Sequence, residues 1–366
     1  MAYFDHEPLV IGDLVVPTPV VQGGMGIGIS LSGLASAVAN EGGIGVISAV
    51  AVGMLKKETA AAQDNITAVK QEIRKARALT KGALGINIMV ALTDFGDMVK
   101  ASVEEGIDVI FSGAGLPLNL PSYIGKGCKT KLVPIVSSAR AVKTISRWWQ
   151  EKYQYIPDGF VVEGPMAGGH LGFHVDQIDD PAYQLEKIVP EVIEAVRPLE
   201  EKAGHKIPVI AAGGIFTGAD IKRFFNLGAA AVQMATRFVA TDECDADIAF
   251  KNAYVQCKKE DIGIINSPVG MPGRAIVNGF LSEAALGNKH PKSCPFHCII
   301  TCKQKTSPYC ISLALINACK GKMDNGFAFV GANGYKVKEI VSVKKLFETL
   351  SEEYRQADST LSTDQS

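Results

Sequence analysis

Residues 208–221 read PVIAAGGIFTGADI. A short apolar run stops at Gly213-Gly214, and a segment with helical spacing, GADIKRFFNLG (218–228), begins four residues later. A continuous apolar strand without polar alternation is buried on both faces. A strand that turns directly into a helix is half of a βα unit.

The same unit recurs through the chain. Upstream, strand-like runs are PVVQGG (19–24), GIGVIS (43–48), ALGINIMV (83–90), DVIFSGAG (108–115), LVPIVSS (132–138) and GFVVEG (159–164). Downstream lies AAVQMATRF (230–238). Helical patterns separate them at 31–42, 57–79, 95–106, 139–153 and 184–204. The segment after the fourth strand, LPLNLPSYIGKG (116–127), has the weakest helical pattern. Eight such units predict a closed (β/α)8 TIM barrel of the α/β class, with an open doubly wound sheet as the alternative. LVIGDLVVPTP (9–19) predicts a hairpin turning at Gly12-Asp13, placed to plug the barrel's bottom.

The chain has 366 residues, 47% of them hydrophobic, and a formal net charge of -1. Its length suits one large barrel with an appendage. The charge leaves no basic footprint for nucleic acid. No apolar run reaches transmembrane length and the start lacks a signal-peptide pattern, so the expectation is a soluble cytoplasmic protein acting on small molecules. Oligomeric state is not encoded in any motif. The tail ADSTLSTDQS (357–366) is expected to be disordered.

A barrel of this kind builds its site at the carboxyl ends of its strands. Glycines and polar residues gather there: Gly23, Gly24 and Met25 in VVQGGMGIGIS (20–30), Asn87, Ser112 to Gly115, Ser137-Ser138, EGPMAGGHLGFH (163–174), Gly213-Gly214 and Ala235-Thr236. Glycines after strands seven and eight let backbone N–H groups approach an anion, which marks a phosphate site. There is no P-loop lysine motif, and GGMGIG lacks dinucleotide spacing. His170, framed by Gly168 and Gly169, is the imidazole set to exchange a proton. His174 lacks a third well-spaced ligand for a metal pair.

Taken together, VVQGGMGIGIS, GGIGVIS, GINIMV, VVEGPMAGGHLGF, PVIAAGGIFTG, AAVQMATRFVAT and SPVGMPGRA resemble the nitronate monooxygenase family, which includes an FMN-dependent enoyl-acyl-carrier-protein reductase. The resemblance implies an FMN barrel over residues 1–240, a lid inserted at 241–335, and a closing helix within 336–366, read as KEIVSVKKLFETLSEEY (338–354). It implies that Gly23, Gly24 and Met25 lie against the flavin ring and that Asn87 binds it. Gly168 and Gly169 border the cofactor, and Gly213, Gly214, Gln233, Met234, Ala235 and Thr236 form the phosphate end. His170 is the implied acid or base. Two positions depart from the family pattern: Met166 stands where Glu is common, with Glu163 three residues earlier, and Ala235 stands where Gly is common.

The implied activity is oxidation of alkyl nitronates with O2. Enoyl-thioester reduction by NAD(P)H is the alternative within the family, and a phosphate-binding isomerase or lyase is the alternative outside it. CPFHCIITCKQKTSPYC (294–310) sets Cys294, Cys298, Cys302 and Cys310 at C-x3-C-x3-C-x7-C spacing. On a helix the first three would share one face. The spacing matches no standard ferredoxin or zinc-finger pattern, so no metal is assigned from it.

Overall fold

The computed structural model describes residues 3–56, 64–294 and 296–361. Eight parallel strands form its centre: β1 (Val20–Gln22), β2 (Gly45–Ser48), β3 (Leu84–Met89), β4 (Val109–Gly113), β5 (Lys131–Val136), β6 (Phe160–Glu163), β7 (Val209–Ala212) and β8 (Ala231–Met234). Their order is β1-β8-β7-β6-β5-β4-β3-β2, and a parallel bridge between Val21 and Ile44 brings β1 back to β2. The result is a (β/α)8 TIM barrel.

Gln22 strengthens the seam where the sheet closes. Its fully buried side chain accepts the Val46 N–H at 3.0 Å, while the Gln22 N–H donates to Ile44 O at 3.0 Å. A buried amide with satisfied partners substitutes there for a longer ladder.

Helices α1 (Ser32–Asn40), α2 (Asn65–Leu79), α3 (Phe95–Glu104), α4 (Ala139–Tyr153), α5 (Leu185–Ala203) and α6 (Gly218–Asn226) surround the barrel. Their apolar residues recur at helical spacing and face the sheet, as Val142, Ile145 and Trp149 do on α4. Residues 57–63 of the expected second helix lie outside the described residues, and α2 starts behind its cap Asp64. After β4 the chain makes only a short 3-10 turn, Leu120–Tyr123. Pro121 enters that turn, and the proline-rich run cannot supply the N–H groups a longer helix needs.

The Gly12-Asp13 hairpin is present, with Leu9 opposite Val16. Leu9, Ile11 and Val16 are fully buried against the barrel interior at Val21, Val46, Val133 and Val161. Asp13 pairs with Lys131 at the start of β5, which puts the plug at the amino end of the strands.

β8 ends earlier than its apolar run, since Thr236–Val239 is a helical turn, α7. An excursion follows, holding α8 (Ile248–Gln256), antiparallel strands Ile262–Asn266 and Pro272–Ile276, α9 (Gly279–Ala285) and α10 (Ile311–Cys319). Asp245 ties it to the barrel by accepting the N–H groups of Leu31, Gly33 and Leu34 at the start of α1. The chain then returns as α11 (Val343–Leu361), which packs on α6 and α1. A Cβ on Gly218 would stand 2.1 Å from Leu350 O, so only glycine admits this approach. α11 runs through residues 357–361, so that part of the expected disordered tail is helical. Residues 362–366 lie outside the described residues. No helix among the described residues is long and apolar enough to cross a membrane.

Candidate active site

One cavity occupies the carboxyl end of the barrel, and every strand except β7 supplies a wall residue from itself or its following loop. Gly23, Gly24 and Met25 enter from β1, Asn87 and Met89 from β3, Glu163 from β6, and Gln233, Ala235 and Thr236 from β8. Gly168, Gly169 and His170 form one side. Phe250 and Tyr254 of α8, Leu315 of α10 and Phe329 to Gly331 cover it from the excursion.

Gly24 in the turn after β1 is required by space. A Cβ on Gly24 would fall 2.4 Å from Asn87 Cβ. The turn is pinned by Ser30, whose Oγ accepts the Met25 N–H at 2.8 Å. The half-buried amides of Asn87 and Gln233 reach the cavity without a hydrogen-bond partner among the described residues. Such amides suit a flat ligand that presents both donors and acceptors along one edge.

His170 belongs to a two-residue strand, Gly169–His170, paired with Pro272–Ile276 so that Gly273 faces His170 and Arg274 faces Gly169. Its Nε2 shares a 2.7 Å hydrogen bond with Ser267 Oγ, and its ring meets Phe329 edge-on at 5.0 Å. Ser267 Oγ also accepts the Val269 N–H at 3.2 Å. Nδ1 has no protein partner among the described residues, so one ring nitrogen remains for a ligand. Burial pulls the imidazole down to about 4, so it is neutral at pH 7. Glu163 shows the opposite effect, because burial pushes its carboxyl up to about 7.

Arg274 holds the histidine segment in place. Its buried guanidinium donates from Nη1 to Pro165 O at 2.5 Å and to Ala167 O at 2.7 Å. Desolvation lowers its affinity for the proton, but a guanidinium stays charged at any working pH.

Most of the expected site residues therefore meet: Gly23, Gly24, Met25, Asn87, Gly168, Gly169, His170, Gln233, Ala235 and Thr236 share the cavity. Three do not line it. Met234 is buried on the other face of β8, as the two-residue period requires when Gln233 and Ala235 point inward. Gly213 and Gly214, at φ of 94° and 87°, turn beneath the histidine segment. A Cβ on the first would meet Gly164 O at 2.8 Å, and one on the second would meet Met166 Cβ at 2.8 Å. Met166 and His174 are exposed and line no part of the cavity.

Ser267, Arg274 and Tyr254 carry no role in the sequence reading. Ser267 and Arg274 lie in SPVGMPGRA, about a hundred residues from the histidine they support, and the motif alone does not show that pairing. The Tyr254 hydroxyl donates to Phe329 O and so fixes the ring beside His170.

The fold and this cavity define a barrel enzyme with a glycine-lined ligand site and a neutral histidine. Residues 8–353 match the family model of nitronate monooxygenase, and the chain belongs to that family of oxidoreductases. It is 30% identical to a (3aS,4S,5R,7aS)-5-hydroxy-7a-methyl-1-oxo-octahydro-1H-indene-4-carboxyl-CoA dehydrogenase of Mycobacterium tuberculosis, over 74% of this chain and 66% of that protein. The match thus spans just under two thirds of that relative's length. A probable nitronate monooxygenase of Staphylococcus saprophyticus is 25% identical over 75% of this chain and 79% of its own. Among solved structures, FabK from Thermotoga maritima superposes with a TM-score of 0.71 at 27% identity, covering 94% of this chain and 95% of that one.

Proposed function

We propose that this chain is an FMN-dependent oxidoreductase that oxidises small alkyl nitronates with molecular oxygen. The donor set fits the cofactor. Backbone at Gly23, Gly24 and Met25 would face the ring, the unpartnered amides of Asn87 and Gln233 would meet its polar edge, and Ala235 with Thr236 would take the phosphate. The absence of a dinucleotide fingerprint favours FMN over FAD. When bound, the flavin supplies the electron transfer between substrate and oxygen.

The observation that carries the choice of substrate is the protonation of His170. A base that protonates near 4 is poorly matched to pulling a proton from a neutral nitroalkane at pH 7. A neutral imidazole can still hydrogen-bond a substrate that arrives already deprotonated. His170 therefore orients the nitronate through the ring nitrogen that Ser267 leaves free. Glu163, near its own pKa at neutral pH, is the better-matched group for moving a proton in the same cavity.

A second reading has its own support. No lysine or arginine lines the cavity among the described residues, and its cover is apolar. That environment favours a neutral substrate, as in reduction of an enoyl thioester with NAD(P)H. Membership of an oxidoreductase family sets aside the isomerase or lyase alternative.

Anaerobic mixing of the flavin-loaded protein with propionate 3-nitronate, nitroalkanes, NADH and NADPH separates the two readings. Rapid bleaching of the flavin by the nitronate is expected. Bleaching by a pyridine nucleotide, with none by any nitronate, would overturn nitronate oxidation in favour of the reductase.

A further inference from the structure

The cysteine segment is absorbed by neither reading. Residues 294 and 296–302 are not helical, so the three cysteines do not share a helix face as their spacing suggests. Pro291, Pro295 and Pro308 interrupt the stretch in sequence, and apart from a 3-10 turn at Gln304–Thr306 helix begins only after Cys310, which caps α10. Yet Cys294, Cys298, Cys302 and Cys310 all line one cavity of about 530 Å³. None of them is in a disulfide.

Two features describe what this cavity suits. No three His, Cys, Asp or Glu side chains among the described residues converge on a point that would hold a single metal ion. Four cysteines line one space, and a set of four thiolates is the ligand set of an iron–sulfur cluster. The segment is basic in sequence: residues 284–323 carry lysines at 289, 292, 303, 305, 320 and 322 and no Asp or Glu. A cluster held by four thiolates is anionic and is stabilised by a basic segment. Ser312 Oγ lies 2.9 Å from Cys298 Sγ, placed to donate to a sulfur ligand.

We propose that Cys294, Cys298, Cys302 and Cys310 ligate an iron–sulfur cluster of the four-cysteine type. The segment is anchored to two loops of the active-site cavity. Thr93 N–H donates to Cys298 O at 3.3 Å just beyond β3, and Thr301 Oγ donates to Val269 O at 2.8 Å, two residues from Ser267. A cluster at this position clamps the excursion onto the barrel and steadies the serine that holds His170. The proposal is independent of the flavin and of the substrate.

The test is iron and acid-labile sulfide analysis of the full chain purified without oxygen. A second sample, stripped with a chelator, is incubated anaerobically with ferrous iron and sulfide. About four iron and four sulfide per chain are expected in both, with an EPR signal after dithionite reduction. The Cys298→Ser, Cys302→Ser double variant should lose the iron, and Cys128→Ser should keep it. Circular dichroism shows whether the double variant is folded. If it is not, Cys294→Ser takes its place, with the same loss of iron expected. Stoichiometric zinc without sulfide, absence of both metals after reconstitution, or full iron content in a folded ligand variant would each overturn the proposal.

Discussion

Replacing Glu163 by Gln tests the electrostatics of the cavity directly. The carboxyl ionises near 4.5 in an unfolded chain and near 7 in the folded one, because burial in the cavity wall disfavours its charge. Between those pH values the folded chain holds a proton that the unfolded chain has released, so stability falls as pH rises. At about 1.36 kcal/mol per pKa unit, the full penalty is about 3 kcal/mol, absent below pH 4.5 and complete once pH passes 7. Glu163→Gln keeps the shape and removes the ionisation. The new amide has its own desolvation cost, but that cost does not change with pH. Equilibrium urea unfolding of both proteins from pH 5 to pH 8 therefore reads the difference of differences. Relative to wild type, the variant should gain about 2–3 kcal/mol across that range. In parallel, wild-type kcat/KM for a nitronate should decline above pH 7, where an ionised Glu163 repels the anion, and the variant should flatten that decline. A stability difference that stays constant from pH 5 to pH 8 would refute the burial argument.

Four further outcomes follow from the same geometry. His170→Asn should remain folded and yellow and lose at least as much turnover on preformed nitronates as on neutral nitroalkanes, because the neutral imidazole orients the anion and does not remove a proton; a loss of roughly 10²–10⁴-fold confined to neutral nitroalkanes would make it the base instead and refute the orienting role. Because the folded imidazole sits near 4 and the unfolded one near 6.5, wild type loses stability as pH falls between those values, and His170→Asn should lose less when unfolding is followed from pH 6.5 down to pH 4. Gly24→Ala should lower flavin occupancy, read as the flavin-to-protein absorbance ratio with the released cofactor identified by mass as FMN, since its Cβ would collide with Asn87 at 2.4 Å. Arg274→Met should destabilise the protein by about 3 kcal/mol, because two buried carbonyls lose a charged donor, and Arg274→Lys should recover only part of that in the same unfolding assay.

The barrel was readable because most of its units carry the same punctuation. An apolar run, ended by glycines or small polar residues and in most units followed by a helical repeat, locates β1 through β7 to within about two residues. The eighth strand runs over for a physical reason: Thr236, Phe238 and Val239 are β-branched or aromatic and look like strand, but they form a helical turn beside the cavity. In the same way, Gly213-Gly214 is legible as a turn, but the direction the turn faces depends on the Met166 segment packed against it.

The support of the histidine lies beyond local pattern altogether. Its position between glycines is visible in AGGH, whereas its hydrogen bond to Ser267 joins residues 97 apart in sequence. That contact exists because Pro272–Ile276 pairs with Gly169–His170 and Arg274 gathers the carbonyls of Pro165 and Ala167. The burial this produces is what lowers the imidazole to about 4 and so weakens it as a base. A histidine framed by glycines suggests proton abstraction. The same histidine enclosed by Phe329, Ser267 and a strand from the excursion is better suited to hydrogen-bonding an anion than to generating one. The choice between those chemistries thus rests on residues 241–342 as much as on the barrel. Substrate preference should accordingly respond to changes in that excursion, such as Ser267→Ala, while flavin occupancy, proposed to rest on the glycine turn and the amides of Asn87 and Gln233, should stay unchanged.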